Sequence, residues 1–442
     1  MEADVVVIGG GMAGAIAALR AAELGADVVL VRKGHGASAA ASGTIDIAGP
    51  QNFLPLDPWD TLPSIDDRLK EILRTNALHP YSIIGGGREG LEFLRQFLHK
   101  ACDFLVEKIP FSRFRGSYAR NLALPSVLGT VKFSALAPAS LAAGDLLGMR
   151  DAHLLLVGMS GLLLFQSDTC KQAIYRYSSL HSPRAISRID VIDANIPRSV
   201  TALPSAPFEV AGHFDDPLVA EEFVAALNKR IHSGVTHIGF PPVLGLNNHG
   251  EVFEIFRRGL QPEVFELISP TFSVPGYRLQ SSLEAALAKS TVRTVVAEIV
   301  DAEGDGRKVK NLLMGNRKAK RTMAGKNYVI ATGKFMSGGI VANDFPKEPI
   351  FGLQLFSRNK TIDHRFIQDL LSWNVDGRQL FLSCGIHVDN TLRPLTRFGE
   401  PAYENLFAAG SIIGEYDYVI DKCGMGVAVL TGYLAGERAA QA

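Results

Sequence analysis

Five side chains of this sequence are of types that could move a proton or bind an anion in a small-molecule reaction. His79, His249 and His387 lie in loop-like stretches, and an imidazole can act as a general base near neutral pH. Arg278 and Arg393 also lie in such stretches, and a planar guanidinium fork suits a phosphate or a carboxylate. We predict these five residues as catalytic candidates. For each, a structural histidine or a surface or capping arginine is the alternative.

Three glycines near the start of the chain predict a nucleotide-binding element beside which such side chains could act. Gly9, Gly11 and Gly14 form a Gly-x-Gly-x-x-Gly pattern, which lets the backbone turn tightly and approach a pyrophosphate. The elements predicted around it are a buried strand (5–8), an Ala-rich helix (15–24) and a second strand (28–31). This order predicts a βαβ unit whose helix N-terminus faces phosphate groups.

The two residues after the second predicted strand are cations, Arg32 and Lys33. Nucleotide-binding domains of this kind place an Asp or Glu there, and its carboxylate accepts hydrogen bonds from the adenosine ribose. Arginine and lysine side chains only donate. Three interpretations stay open: Arg32 pairs with a phosphate, no adenosine is bound, or Arg32 lies in solvent while main-chain contacts hold the nucleotide. Arg32 is included among the candidate cofactor-binding residues.

Two segments far along the chain indicate that the nucleotide is a flavin. KNYVIATG predicts a short strand that ends in a turn, and residues 405–440 predict a strand followed by a glycine turn and a helix. The N-terminus of that helix could point at the isoalloxazine ring, whose anionic reduced form it would stabilise. A core helix with a glycine cap is the alternative. The cofactor-binding candidates in these segments are Thr332, Gly333, Gly410, Gly424 and Gly426.

Composition limits the function classes. A chain of 442 residues is too long for one hydrophobic core and indicates two or three units. Lys plus Arg and Asp plus Glu are both 45, so no overall charge attracts nucleic acid, and we expect no nucleic-acid partner. The four cysteines lie far apart without a Cys-x-x-Cys pair. This argues against an iron–sulfur cluster or zinc site, so we expect free thiols and no metal.

The sequence also carries no predicted membrane-crossing or targeting segment. The N-terminus enters a strand directly, and the most apolar stretch, residues 153–165, is shorter than the roughly 20 residues that span a bilayer. We therefore expect a cytoplasmic protein, which could lie on the inner face of the membrane through its partners.

The fold class predicted is α/β, with a Rossmann-like, discontinuous flavin-binding domain and an inserted α+β cap or substrate domain. The flavin-binding domain is expected to comprise residues 1–190, 291–335 and 381–442. The cap is expected at residues 191–290, where Pro-rich breaks interrupt mixed helix and loop. A smaller insertion is expected at residues 336–380.

Across nearly the whole chain, the order of motifs resembles the B subunits of anaerobic glycerol-3-phosphate dehydrogenase, a family within the fumarate reductase/succinate dehydrogenase-like flavoprotein superfamily. The Gly-x-Gly-x-x-Gly and Ala-Thr-Gly motifs are common to the superfamily. More specific are the stretches PPVLGL (241–246), SVPGYRL (273–279) and SGGI (337–340). Further similar stretches are SGTIDIAG, HPYSIIG, LPSVLGTVKFSALAP, GIHVDNTLRP and NLFAAGSIIGEYD.

The resemblance implies a flavin cofactor, FAD or alternatively FMN, and adds Ser42 and Gly43 of SGTIDIAG to the cofactor-binding candidates. It implies a small phosphorylated polyol substrate: sn-glycerol 3-phosphate would be oxidised to dihydroxyacetone phosphate, with electrons passing through the flavin to a quinone. Such a reaction needs a base for the hydroxyl proton, a cation for the phosphate and hydride transfer to the flavin. It also implies two partners, a catalytic flavoprotein subunit and a membrane-anchoring iron–sulfur subunit.

Two other functions stay open. The chain could be a stand-alone flavin-dependent reductase or dehydrogenase of the superfamily that acts on a small carboxylate. It could also be a non-catalytic scaffold subunit that keeps the fold and organises a complex. If the partner subunit oxidises the substrate, the flavin of this chain would be an electron relay.

Overall fold

A computed structural model describes residues 2–50, 62–110, 113–162, 165–182, 184–197, 206–269, 273–316, 319–362, 364–374 and 379–442. The chain forms two compact units. The first unit comprises Met1–Ser38, Asp66–Ile109 and Leu283–Ala442, and the second comprises Ala39–Ile65 and Pro110–Ser282. All four cysteines are buried and have free thiols.

The helices, in chain order, are α1 (Met12–Glu23), α2 (Ile65–Thr75), α3 (Pro80–Gly85), α4 (Leu91–Lys108), α5 (Ala139–Ala142), α6 (Ser167–His181), α7 (Pro207–His213), α8 (Pro217–Asn228), α9 (His249–Gly259), α10 (Val274–Lys289), α11 (Leu380–Ser383), α12 (Tyr418–Asp421) and α13 (Gly424–Gln441). Among the described residues, no helix combines the length and apolar character needed to cross a membrane.

The strands are β1 (Glu2–Ile8), β2 (Val28–Arg32), β3 (Arg115–Gly116), β4 (Leu122–Pro125), β5 (Val131–Ser134), β6 (Leu136–Ala137), β7 (Ala152–Met159), β8 (Ile186–Ala194), β9 (His237–Phe240), β10 (Glu263–Glu266), β11 (Arg293–Val296), β12 (Ile299–Gly304), β13 (Val309–Asn316), β14 (Ala319–Ile330), β15 (Val341–Ala342), β16 (Pro346–Lys347), β17 (Phe356–Ser357), β18 (Lys360–Thr361) and β19 (Leu406–Ala408).

The first unit is built on a seven-stranded sheet of order β11-β2-β1-β14-β13-β12, with β19 also paired to β14. The pairs β11–β2, β2–β1, β1–β14 and β14–β19 are parallel, whereas β12, β13 and β14 form an antiparallel extension. The β-branched run of β1 is buried on both faces, as a central parallel strand requires. The two ends of the chain thus meet in one sheet, and the predicted α/β class is confirmed.

Helices α1 and α13 lie on this sheet and pack closely against each other, because small residues line the contact between them. A Cβ atom at Gly432 would lie 2.5 Å from the carbonyl oxygen of Ala13, and one at Gly436 would collide with the carbonyl of Ala17. Both glycines are therefore needed for the close approach of the two helices. This contact fixes α13, the last helix of the chain, against the helix that follows the glycine turn.

The second unit contains a four-stranded, fully parallel sheet of order β10-β9-β7-β8. Helices α6 to α9 connect its strands, and a cluster of aromatic side chains from these helices and from β9 fills part of its core. Four rings of this cluster pack mainly edge to face: Phe214, Phe223, Phe240 and Phe256.

The division between units differs from the expected domain boundaries. Residues 110–190 were expected in the flavin-binding domain but belong to the second unit, because β7 pairs with β8 and β9. Residues 39–65 also belong to the second unit, and residues 336–380 belong to the first. The apolar run of β7 predicts a buried parallel strand, but it does not indicate which of two parallel sheets contains that strand.

Candidate functional site

The glycine turn after β1 has the geometry of a phosphate-binding turn. A Cβ atom at Gly14 would collide with the carbonyl of Gly9, and one at Gly9 would collide with that of Ala331. Gly9 has a φ of +118°, which favours glycine. Gly11 is the N-cap of α1; no side chain caps the helix, and no acid lies in its first turn. The first N–H groups of α1 are therefore suited to an anion.

The ends of β14 and β19 lie beside this turn. Gly333 and Gly410 have φ values of +75° and +76°, and a Cβ atom at Gly410 would lie 2.7 Å from that of Ala13 in α1. Thr332 presents a buried hydroxyl that has no hydrogen-bond partner within the described part of the chain. A buried hydroxyl of this kind is suited to a ligand.

Helix α13 starts at the expected glycine turn. Gly424 is its first residue and Gly426 is buried in its first turn. Cys423 is the N-cap without a side-chain capping bond, and the first turn carries no acid. We call the glycine turn, Thr332, Gly333, Gly410 and the N-terminus of α13 the cradle. Two uncapped helix N-termini, close backbone approaches and the Thr332 hydroxyl fit a dinucleotide.

Arg32 lies against the glycine turn. A Cβ atom at Gly10 would lie 2.9 Å from the Cβ and Cδ atoms of Arg32. The Arg32 side chain is 21% exposed and its Nη1 pairs with the carboxylate of Glu284 from α10, whereas Lys33 pairs with Glu298 at 2.6 Å. The interpretation that Arg32 lies in solvent is therefore not what the structure shows.

The candidates Ser42 and Gly43 lie in the second unit. The Ser42 hydroxyl bonds to that of Thr44 at 2.9 Å. Gly43 has a φ of +78°, and a Cβ atom there would lie 2.8 Å from the carbonyl oxygen of Pro275. Their role in cofactor binding stays a prediction.

A buried lysine follows the cradle where the chain leaves β14. Lys334 donates from Nζ to the carbonyl of Leu382 and lies 5.0 Å from the centre of the Tyr416 ring. Burial lowers the pKa of Lys334 to about 8, although Cys384, Asp417 and Glu415 oppose this shift. Lys334 is not among the residues predicted from the sequence. The signal that could have identified it is a lysine directly after the strand-and-turn motif Ala-Thr-Gly.

His387 forms a histidine–carboxylate pair near this lysine. Its Nε2 lies 2.9 Å from Oε1 of Glu415, and its ring stacks on Phe356 with centroids 3.7 Å apart. The Asn359 amide donates to the same carboxylate oxygen at 2.8 Å. With Nε2–H donating to Glu415, Nδ1 is left as a proton acceptor. Glu415 has a φ of +65°, a strained conformation that is concentrated at functional sites.

We call Lys334, His387, Glu415 and Tyr416 the Lys334 cluster. Glu415 links its members, because it bonds to His387 and its charge acts on Lys334. The cluster combines a cation, a candidate base and a carboxylate that orients the base. This arrangement can hold an anionic substrate and remove a proton from it.

His79 has the environment of a structural histidine. Its Nδ1 accepts from the Tyr81 amide at 3.0 Å and so caps α3. Burial lowers the pKa of His79 to about 3, which keeps the ring neutral. Its Nε2 lies 3.7 Å from Sγ of Cys423, and Asp421 is also close enough for a three-residue group. Because Nδ1 already accepts, Nε2 carries the proton and is not prepared to bind a metal.

His249 and Arg278 meet in the second unit at the buried carboxylate of Glu266. Arg278 binds it through Nη1 at 2.7 Å and Nη2 at 3.1 Å. Burial would raise the pKa of Glu266, but Arg278 and His249 outweigh this effect and hold it below its usual range. His249 donates from Nδ1 to the carbonyl of Leu244 at 2.7 Å. Burial, with Arg278, lowers the pKa of His249 to about 4.

Arg393 is likewise held by a carboxylate. It binds Asp389 through Nε and Nη2, both at 2.9 Å. Each predicted anion-binding arginine therefore has an internal partner. The catalytic roles of His249, Arg278 and Arg393 stay predictions, and the geometry favours the structural alternative for both arginines.

Comparison with known proteins agrees with the cradle. A family model described as an FAD binding domain matches residues 4–177 and 227–427. This is most of the chain, which therefore belongs to the FAD-binding flavoproteins, a class of flavin-dependent oxidoreductases, and has FAD as its cofactor. FAD was the first choice from sequence and is confirmed over the FMN alternative.

Relatives that match over the full length identify a narrower family. The chain is 32% identical over 461 residues to the probable B subunit of the anaerobic glycerol-3-phosphate dehydrogenase of Halobacterium salinarum, covering 100% of this chain and 99% of the relative. It is 27% identical to the corresponding protein of Pectobacterium atrosepticum, covering 99% and 98%. The chain thus belongs to the family of anaerobic glycerol-3-phosphate dehydrogenase B subunits, and the predicted resemblance is confirmed.

A solved structure shows a weaker likeness. The open conformation of a flavocytochrome c3 fumarate reductase aligns with 100% of this chain and 78% of its own, with 12% identity and a TM-score of 0.43. A likeness at this level supports no functional conclusion.

Proposed function

We propose that this chain is the flavoprotein B subunit of a respiratory, anaerobic glycerol-3-phosphate dehydrogenase and oxidises sn-glycerol 3-phosphate to dihydroxyacetone phosphate. The observation that carries this proposal is the Lys334 cluster, a base–carboxylate pair and a cation directly after the cradle. The full-length match to relatives of that name supports the choice of substrate.

The reaction removes a proton from the hydroxyl oxygen and a hydride from the carbinol carbon, which leaves a ketone. Bound FAD would accept the hydride. His387 is suited to take the proton, because Glu415 holds Nε2–H and leaves Nδ1 as the base. Lys334 supplies a positive charge that favours an anionic substrate, whereas Arg278 and Arg393 already bind carboxylates.

We further propose that the chain acts in a complex, since its relatives are named as one subunit of an enzyme. The proposed partners are a second catalytic flavoprotein subunit and a membrane-anchoring iron–sulfur subunit, through which electrons reach a quinone. The chain would then be cytoplasmic and peripheral on the inner face of the membrane.

The experiment follows flavin reduction directly. The chain is loaded with FAD and mixed without oxygen with sn-glycerol 3-phosphate, and the loss of the visible flavin absorbance is timed. We expect His387→Asn to slow this loss by about 10²- to 10⁴-fold at unchanged FAD content. The matched control is His364→Asn, because His364 is an exposed histidine of the same unit.

The same measurement with the partner subunits added separates catalyst from relay. Reduction of this chain's flavin only in their presence would make it a relay and would contradict the role of His387 as the base. No reduction in either condition would refute the proposed substrate.

A further inference from the structure

The end of β2 lacks the carboxylate that would bind an adenosine ribose, but the fold brings one there from a distant part of the chain. Glu284, on the part of α10 that belongs to the first unit, pairs with Nη1 of Arg32. His35 also binds it, with Nδ1 2.9 Å from Oε1. Glu284 is thus held at the end of β2 by Arg32, the last residue of that strand, and by His35, which follows it.

The pair lies beside the glycine turn, at the strand end where nucleotide-binding domains place the ribose. Arg32 packs against Gly10 of this turn, whose geometry suits a pyrophosphate, so its side chain runs along the same side of the fold. In nucleotide-binding domains, the acid at the end of the second strand reaches the ribose from this side.

The pair also offers the two kinds of group that a ribose diol needs. A carboxylate accepts hydrogen bonds at about four lone-pair positions, and the Glu284 side chain is 27% exposed, so a ligand hydroxyl can reach it. Arg32 Nε is a buried donor without a hydrogen-bond partner among the described residues. A hydroxyl that donates to Glu284 and a hydroxyl oxygen that accepts from Arg32 Nε would satisfy both groups.

We propose that Glu284, held by Arg32 and His35, is the residue that recognises the adenosine ribose of FAD in this chain. Arg32 is then a positioning residue and a second ribose contact. A cation at the end of β2 is compatible with FAD because the acid is supplied by α10.

The test measures the dissociation constants of FAD and FMN for the cofactor-free chain by titration calorimetry. A lost hydrogen bond to a charged group is worth about 1.5–3 kcal/mol, so we expect Glu284→Gln to weaken FAD binding by about 10- to 150-fold. FMN binding should change by less than about threefold, since FMN has no adenosine. Glu298→Gln is the matched control, because Glu298 pairs with the neighbouring Lys33.

A second measurement changes the ligand. The wild-type chain should bind an FAD analogue that lacks the adenosine ribose hydroxyls about 10- to 150-fold more weakly than FAD, and Glu284→Gln should show a smaller difference between the two ligands. Equal weakening of FAD and FMN by Glu284→Gln would show a structural role and overturn the proposal. Equal affinities of the wild-type chain for FAD and for the analogue would also overturn the proposal.

Discussion

Lys334 lies in an environment unlike that of an ordinary surface lysine. It is buried next to the cradle, and its ammonium has a main-chain carbonyl and an aromatic ring for neighbours. Burying the charged ammonium lowers the stability of the folded chain, and buried charges of this kind are concentrated at functional sites. Because only the charged form carries this penalty, the stability of the chain should depend on pH.

We predict that Lys334 makes the free energy of unfolding rise with pH above about 8. Its pKa is lowered to about 8 in the folded chain from 10.5, so in this window the unfolded state binds more protons. Below about pH 8 the folded chain carries the full cost of burying a charged lysine, and above about pH 10.5 that cost is gone. At 1.36 kcal/mol per pH unit, the change is roughly 3 kcal/mol at most.

Denaturant unfolding of wild type and Lys334→Met, at pH about 7 and about 10, measures this change. The stability of the wild type relative to Lys334→Met should rise at the higher pH, because only the wild type loses the penalty of a buried charge. Lys100→Met, a change at an exposed lysine of α4, should leave the wild-type dependence intact. Parallel pH curves for wild type and Lys334→Met would contradict the prediction.

Among the elements, α1 and α13 position the cradle through their contact with each other. Each begins at a cradle glycine, and both lie on the same sheet. Their separation is set by Gly432 and Gly436, which have no room for a side chain. A change at this contact should therefore reach the cofactor without touching it.

We predict that Gly432→Ala destabilises the chain by about 1–3 kcal/mol, since the added methyl group forces the helices apart. FAD should also bind more weakly, because the first amides of α1 are expected to face its phosphates. Denaturant unfolding and FAD titration measure the two effects. Gly250→Ala in α9 is the control: nothing lies within 4 Å of its Cβ position, and helix propensity should make the change neutral or slightly stabilising. Equal behaviour of the two variants would refute the packing argument.

Local patterns in the sequence predict these elements well. The β-branched run, the glycine turn and the alanine-rich segment identify β1, α1 and β2. The helix starts at Met12 rather than residue 15, because Gly11 is its N-cap and Gly14 lies inside its first turn. The glycine turn at Gly424 marks the start of α13 as expected.

Contacts between distant segments could not be predicted in the same way. The pairing of Arg32 with Glu284 joins residues 252 positions apart, and that of Arg278 with Glu266 joins a residue of α10 to one of β10. Neither arginine differs in sequence from a surface cation. The burial of Lys334 likewise follows from the packing of residues 382 and 416 around it, which no local period encodes.

At the scale of the molecule, the first unit is assembled from three separated segments, Met1–Ser38, Asp66–Ile109 and Leu283–Ala442. Strands from both ends of the chain pair with β14, so this sheet forms only after long loops are closed. The second unit has its own parallel sheet and its own core. Each unit therefore has the structural basis for opening separately.

We predict that FAD stabilises β1, β14 and β19 together, although they lie far apart in sequence, because they support one cradle. When free FAD is at about 100 times its dissociation constant, the free energy of opening rises by about 2.7 kcal/mol. This corresponds to about 100-fold slower hydrogen exchange in these strands. Mass spectrometry of exchanged peptides measures it, with NAD as a control dinucleotide that has no flavin ring. The strands β7, β9 and β10 should gain less protection, since they belong to the other unit. A uniform gain across both sheets would show that the chain opens as a single unit and would contradict the two-unit description.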